Sequence, residues 1–150
     1  MEWRPRDDPF EGRGRGDMGV TLLDTSVWIE YLRGTGSDAN VRVREMISNG
    51  DPIATCDVVI MELLSGTKSQ GEWNAIWALM NRCRMLPVRP LFDYEIAARL
   101  YRKCRVSGFQ PQSMSDLLLA AVAIGKDVPI LTTDEDFARI ADLSTLRLVA

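Results

Sequence analysis

Two stretches of this chain repeat one arrangement, and the repeat constrains the fold more than any other feature. The apolar run Val20, Thr21, Leu22, Leu23 ends at Asp24-Thr25-Ser26, and Val128, Pro129, Ile130, Leu131 end at Thr132-Thr133-Asp134-Glu135-Asp136-Phe137. Each run is too short for a buried helix and suits a strand enclosed on both faces. Hydroxyl residues and an acid follow each run, and then a helical pattern begins. Strands that alternate with helices require right-handed crossovers, so an α/β fold with a parallel sheet is expected. In such a sheet the carboxyl ends of all strands share one edge, where ligands collect. Asp24 and Asp134 are thereby assigned to that edge. Asp24 can equally serve as the N-cap of the helix after it, a position that favours Asp.

The intervening segments fit this alternation. Val27, Trp28, Ile29, Tyr31 and Leu32 form the apolar face of the helix after Asp24. A turn at 34–37 precedes a helix in which Val41, Val43, Met46 and Ile47 point inward. Ile53 and Ala54 are a minimal strand, and Thr55 or Asp57 caps a helix running to Gly66. Glu62 is the one charge within the apolar run of that helix, so it requires a partner, a metal or an exposed stripe. The stripe is the weakest of the three, because the helix is apolar nearly all round. Trp73, Ile76, Trp77 and Met80 follow the i, i+3, i+4, i+7 spacing of a core or partner-helix face. A strand at 85–88 leads to a helix over 93–106 whose Arg99, Arg102, Lys103 and Arg105 form either a solvated face or a phosphate-contacting rim. Ser113 and Asp116 have capping-box spacing at the start of the apolar helix Leu117 to Ile124, and a short strand over 146–149 closes the chain.

Composition supplies exclusions. The chain of 150 residues, 46% hydrophobic and 26% charged, suits a single domain with a real core. It contains no histidine, which removes Ser-His-Asp and Cys-His nucleophiles, imidazole acid/base pairs and His-ligated metals. Cys56, Cys83 and Cys104 are scattered, without C-x-x-C spacing, and read as reduced core residues. No apolar stretch approaches the roughly 20 residues of a membrane span, and residues 1–17 lack the apolar segment of a secretory signal. The expected location is cytoplasmic. Residues 1–18, with Pro5, Pro9 and the run Gly12-Arg13-Gly14-Arg15-Gly16, read as a disordered extension to a domain over 19–150. Met18 would make a natural first residue. A net charge of −3 does not advertise nucleic-acid binding, although cations held by acids would change the local field.

Each acid has a structural explanation by itself, but Asp24, Glu62, Asp116 and Asp134 are expected to converge on one sheet edge. Like charges brought this close raise one another's pKa unless cations intervene. Oxygen ligands without His or Cys favour Mg²⁺ or Mn²⁺.

The order and context of these motifs resemble the PIN-domain family, specifically the VapC-type toxins of bacterial toxin–antitoxin pairs. The resemblance rests on Leu23 to Ile29, the Glu62-Leu63 helix, Ser115-Asp116-Leu117 running into Ala120-Ala121, and Thr132 to Phe137. It implies a five-stranded parallel sheet flanked by helices, and an endoribonuclease that uses Mg²⁺ or Mn²⁺ held by acids matching Asp24, Glu62, Asp116 and Asp134. Asp136 matches a further metal-binding acid, and Ser26 and Thr132 match supporting hydroxyls. It also implies an RNA substrate, a homodimer and silencing by a cognate VapB-type antitoxin. In that setting Arg99, Arg102 and Lys103 become candidates for RNA phosphate contacts. An arginine of the antitoxin is expected to enter the acid pocket, where its fork suits paired carboxylates, with an apolar segment covering the surface of Trp28 or of Trp73 and Trp77. The alternatives are a catalytically silent PIN-like scaffold and a metal-dependent DNA nuclease. A D-x-D phosphatase or a phospho-receiver fits less well: the second Asp of the phosphatase motif and the lysine after a late strand are missing.

Overall fold

The computed structural model describes residues 19–150. The expected disordered extension over 1–18 and the reading of Met18 as a first residue lie outside the described residues. Strands β1 (Thr21–Leu23), β2 (Ile53–Thr55), β3 (Arg84–Met85) and β4 (Ile130–Leu131) alternate with seven helices: α1 (Thr25–Arg33), α2 (Asp38–Asn49), α3 (Asp57–Ser65), α4 (Gln70–Met80), α5 (Phe92–Val106), α6 (Met114–Lys126) and α7 (Asp136–Asp142).

All strand pairings are parallel, in the order β3-β2-β1-β4. Leu22 of β1 is opposite Ala54 of β2 on one side and Ile130 of β4 on the other. Flanked on both edges and covered on both faces, Leu22 and Leu23 are fully buried. The strand order reverses at β1: the chain moves outward through β2 and β3, then returns to place β4 on the opposite side. A crevice therefore opens between the carboxyl ends of β1 and β4, the usual ligand position in open parallel sheets.

The expected fifth strand is reduced to a single parallel bridge between Ile130 and Leu148. Ile130 N–H donates to Arg147 O at 3.0 Å and Val149 N–H donates to Ile130 O at 2.9 Å. The segment over 146–149, expected as a short strand, lies against the sheet through this bridge alone, because β4 is too short to offer a longer ladder. Thr55 belongs to β2, where its hydroxyl bonds Met80 Sδ, so it does not cap α3. That N-cap is Cys56, whose side chain makes no capping bond and donates to Asp57 Oδ1. Asp57 Oδ1 also accepts from Val58 N and from Val88 N, tying α3 to the segment after β3.

The α1–α2 hairpin follows from its caps. Gly34 ends α1 in the left-handed conformation (φ 60°), and Ser37 caps α2 by accepting from Asn40 N. Buried Asn40 donates to the carbonyls of Glu30 and Tyr31, which also accept from the backbone of Gly34 and Thr35, and so fastens α2 to the end of α1. Trp28 is 0% exposed, so it anchors the core and cannot form the partner surface expected of it. Leu32 (46%) and Val41 (41%) face outward; the helical stripes are narrower than the apolar patterns implied. Ile76 and Met80 are buried as expected, whereas Trp73 is 39% exposed.

Helix α6 is enclosed by α3, α5 and α7, which explains its Leu- and Ala-rich sequence. At the start of α5, Asp93 is fully buried and accepts from Arg89 N, Nε and Nη2 at 2.7, 3.3 and 2.9 Å. The Arg89 guanidinium also occupies the space where Gly125 of α6 has no side chain. Cys56 and Cys104 are buried and Cys83 is half-buried, all as free thiols. Burial raises the Cys83 pKa to about 12, which leaves it chemically quiet. Among the described residues no helix is long and apolar enough to cross a membrane.

Candidate metal centre

The carboxyl ends of β1 and β4 are joined by a network around Asp24, which is 5% exposed. Asp24 N–H donates to Leu131 O at 3.0 Å, continuing the sheet ladder one residue past β1. Asp24 Oδ1 accepts from Thr25 N at 2.7 Å, as the N-cap of α1. Its Oδ2 accepts from Ser26 Oγ at 2.8 Å and from Thr132 Oγ1 at 2.9 Å. The capping and functional readings of Asp24 thus describe two oxygens of one carboxylate. Each hydroxyl also accepts a backbone N–H: Ser26 Oγ from Thr133 N at 3.1 Å, and Thr132 Oγ1 from Asp134 N at 3.0 Å. The loop after β4 is held in place by Ser26 and Thr132, the same groups that orient Asp24.

Asp134 Oδ1 accepts from Asp136 N at 3.0 Å, which turns both side chains toward α6 at the start of α7. Asp136 Oδ2 accepts from Gln112 N at 3.3 Å, fastening the loop between α5 and α6 to the same corner. Asp116, in the first turn of α6, is 9% exposed. The structure therefore brings Asp116, Asp134 and Asp136 together, each offering an oxygen within 4.8 Å of the others. Asp24 and Glu62 lie outside that trio, but their charges act on Asp116. Ser113 accepts from Ser115 N rather than completing a capping box, so Asp116 turns into the cluster.

Electrostatics separates these acids. Asp116 is pushed up to about 7, first by burial, then by the charges of Asp24, Asp134 and Glu62, and by a hydrogen bond with Asp134. Among the described residues no basic side chain is a cause of that shift. Glu62 is also raised, by burial and then by Asp24, against a hydrogen bond from Ser115 that favours its ionised form. It is half-buried, beside Met61 at 58% exposure, so α3 does have an open stripe and Glu62 lies at its margin. Ser115 entered the sequence reading only within the motif Ser115-Asp116-Leu117, with no role of its own. Its position, on the residue before Asp116, was the available signal.

Three clustered carboxylates, a uniformly oxygen donor set and uncompensated negative charge fit a hard divalent cation. The basic residues of α5 are distributed differently. Arg99 pairs with Glu95 at 2.7 Å on the exposed face, Lys103 donates to Leu143 O at 3.1 Å, and Arg102 is exposed.

The sequence profile of the PIN domain matches residues 21–143. The chain belongs to the PIN-domain family. This PIN domain is 39% identical to Ribonuclease VapC11 of Mycobacterium tuberculosis over 129 residues, 85% of this chain and 96% of that one. It is 35% identical to Ribonuclease VapC19 of the same organism, over 77% of this chain and 89% of the relative. Solved structures share the fold. VapBC2 from Rickettsia felis, bound to a promoter DNA fragment, superposes with a TM-score of 0.68 at 18% identity, over 87% of this chain and 97% of that one. VapC20 of M. tuberculosis, described as a sarcin-ricin-loop-cleaving toxin, gives 0.62 at 21% identity, over 85% and 98%.

Proposed function

We propose that this PIN domain is a metal-dependent endoribonuclease, the toxin of a toxin–antitoxin pair, silenced by a VapB-type antitoxin and acting in the cytoplasm as a homodimer. The convergence of Asp116, Asp134 and Asp136 within 4.8 Å carries this reading, and relatives named ribonucleases support it. These three acids, with Asp24 beside them, would hold Mg²⁺ or Mn²⁺. When bound, the cation polarises the phosphate and makes water nucleophilic near neutral pH.

The chain's own residues do the rest. Ser26, Thr132 and Thr25 N–H fix both oxygens of Asp24, so the site is oriented before any ligand arrives. Glu62, with its raised pKa and partial exposure, is suited to accept or return a proton at the reacting phosphate. Arg99 and Lys103 hold only exposed, exchangeable contacts, and with Arg102 they are free to meet RNA phosphates.

The test is cleavage by the purified full chain of total cellular RNA and of duplex DNA, with Mn²⁺ or with chelator. Endonucleolytic RNA fragments that require metal are expected. Absence of RNA cleavage, or equal cleavage of DNA, overturns the reading. Thr132→Val should keep the fold but lower turnover about 10- to 100-fold, because it removes one of the two hydroxyl donors to Asp24 Oδ2 and the acceptor of the Asp134 backbone N–H. Turnover of the variant within twofold of wild type would remove Thr132 from the site.

A further inference from the structure

An RNA strand approaching this centre meets clustered carboxylates on a chain of net charge −3, so a cation must be fixed close to the cluster. Several basic groups around α5 and α7 already hold a carboxylate or a carbonyl, in contacts that, the buried Asp93 aside, are exposed enough to exchange. Arg89 pairs with Asp93, Arg99 with Glu95, Arg147 with Asp127, and Lys103 bonds a carbonyl. Arg139 differs. It is exposed and pairs with no carboxylate among the described residues, and its guanidinium stacks 4.8 Å from the centroid of the Phe109 ring.

The location is set from two directions. Arg139 lies three residues after Asp136 on α7, hence on a neighbouring face of that helix. Phe109 belongs to the loop whose Gln112 N–H donates to Asp136. The stack therefore lies on the helix of Asp136 and against the loop that bonds it, on the side of the trio away from Asp116. A guanidinium held over an aromatic ring loses less freedom when it binds than an unsupported one, and its N–H groups match a phosphodiester.

We propose that Arg139, pre-oriented on Phe109, binds the RNA backbone phosphate next to the scissile one and fixes the register of the strand over the acids. This rests on the ribonuclease reading and adds the residue that holds the substrate.

The experiment uses the full chain and a fluorescein-labelled single-stranded RNA of mixed sequence. Binding is followed by anisotropy over a salt series in Ca²⁺, cleavage is followed separately in Mn²⁺, and the Mn²⁺-induced shift in melting temperature is recorded. Arg139→Gln should weaken RNA binding about tenfold and lower the salt slope by about one. KM should rise while kcat and the Mn²⁺ shift stay at wild-type values. Phe109→Leu, which keeps the packing but loses the ring face, should weaken binding by less and keep the slope. Unchanged affinity and slope in Arg139→Gln would overturn the proposal, as would loss of the Mn²⁺ shift, since the residue would then act through the acids. Wild-type RNA binding without cleavage would defeat the ribonuclease reading alone, leaving the phosphate contact to be judged by the salt slope.

Discussion

Asp116→Asn is expected to cut metal-dependent RNA cleavage by about three orders of magnitude and, in the same protein, to raise the melting temperature of the metal-free form. Both effects follow from one carboxylate. Asp116 is 9% exposed and faces the charges of Asp24, Asp134 and Glu62, and no basic side chain among the described residues offsets them. Asparagine keeps the size of the side chain and one oxygen, so α6 should still start at Met114, where Ser113 provides the cap. A ligand charge disappears, and so does the repulsion it caused. Asp24 is a poorer choice for the same experiment, since its charge is offset by three donors, Thr25 N, Ser26 Oγ and Thr132 Oγ1. Cleavage assays and thermal melts in chelator check the pair of outcomes. Wild-type cleavage would remove Asp116 from the reaction, and a lowered melting temperature would mean that repulsion does not dominate there.

The second large effect is a dependence of stability on pH that metal cancels. The folded-state pKa of Asp116 is about 7, against an ordinary value of 3.8. Between those values the folded chain retains a proton that the unfolded chain has released, so stability falls as pH rises through the window. The full cost is present above about pH 7, and below about pH 4 it vanishes. Glu62, also raised, works in the same direction. A divalent cation must displace the shared proton, so its stabilisation should grow with pH, reaching about 2.7 kcal/mol at a hundredfold excess over its dissociation constant. Melts at about pH 5 and pH 8, in chelator and in Mn²⁺, should give a lower metal-free melting temperature at the higher pH, and a Mn²⁺ shift that is larger there. An Mn²⁺ shift that Asp116→Asn shares in full would place the ion elsewhere.

The acids were legible in the sequence because strand–acid–helix order is a topological statement. Once β1 and β4 are parallel neighbours, Asp24 and the loop of Asp134 must meet, whatever the side chains between them. Ser26 and Thr132 were legible for the same reason. What could not be read was rotational. Trp28 and Leu32 both belong to the apolar pattern of α1, yet one is fully buried and the other 46% exposed, since a nine-residue helix buries only the stripe that its hairpin with α2 leaves facing the sheet. Glu62 seemed enclosed by apolar neighbours because Met61, though hydrophobic, faces solvent. The fifth strand was lost to length: β4 has two residues, and Leu148 finds only Ile130 to pair with. The Arg89–Asp93 clamp at the start of α5 has no sequence signature beyond i, i+4 spacing, which many solvated pairs share.

The circuit joining Asp24, Ser26, Thr132 and the backbone of Asp134 has a hereditary consequence. Because each hydroxyl is at once a donor to the same oxygen and an acceptor from the same loop, the effects of replacing them are not additive. A lineage that lost one would find the other already weakened, and recovery would require both to change together. An exchange of serine for threonine keeps both the donor and the acceptor of this circuit, whereas a side chain without a hydroxyl removes both at once.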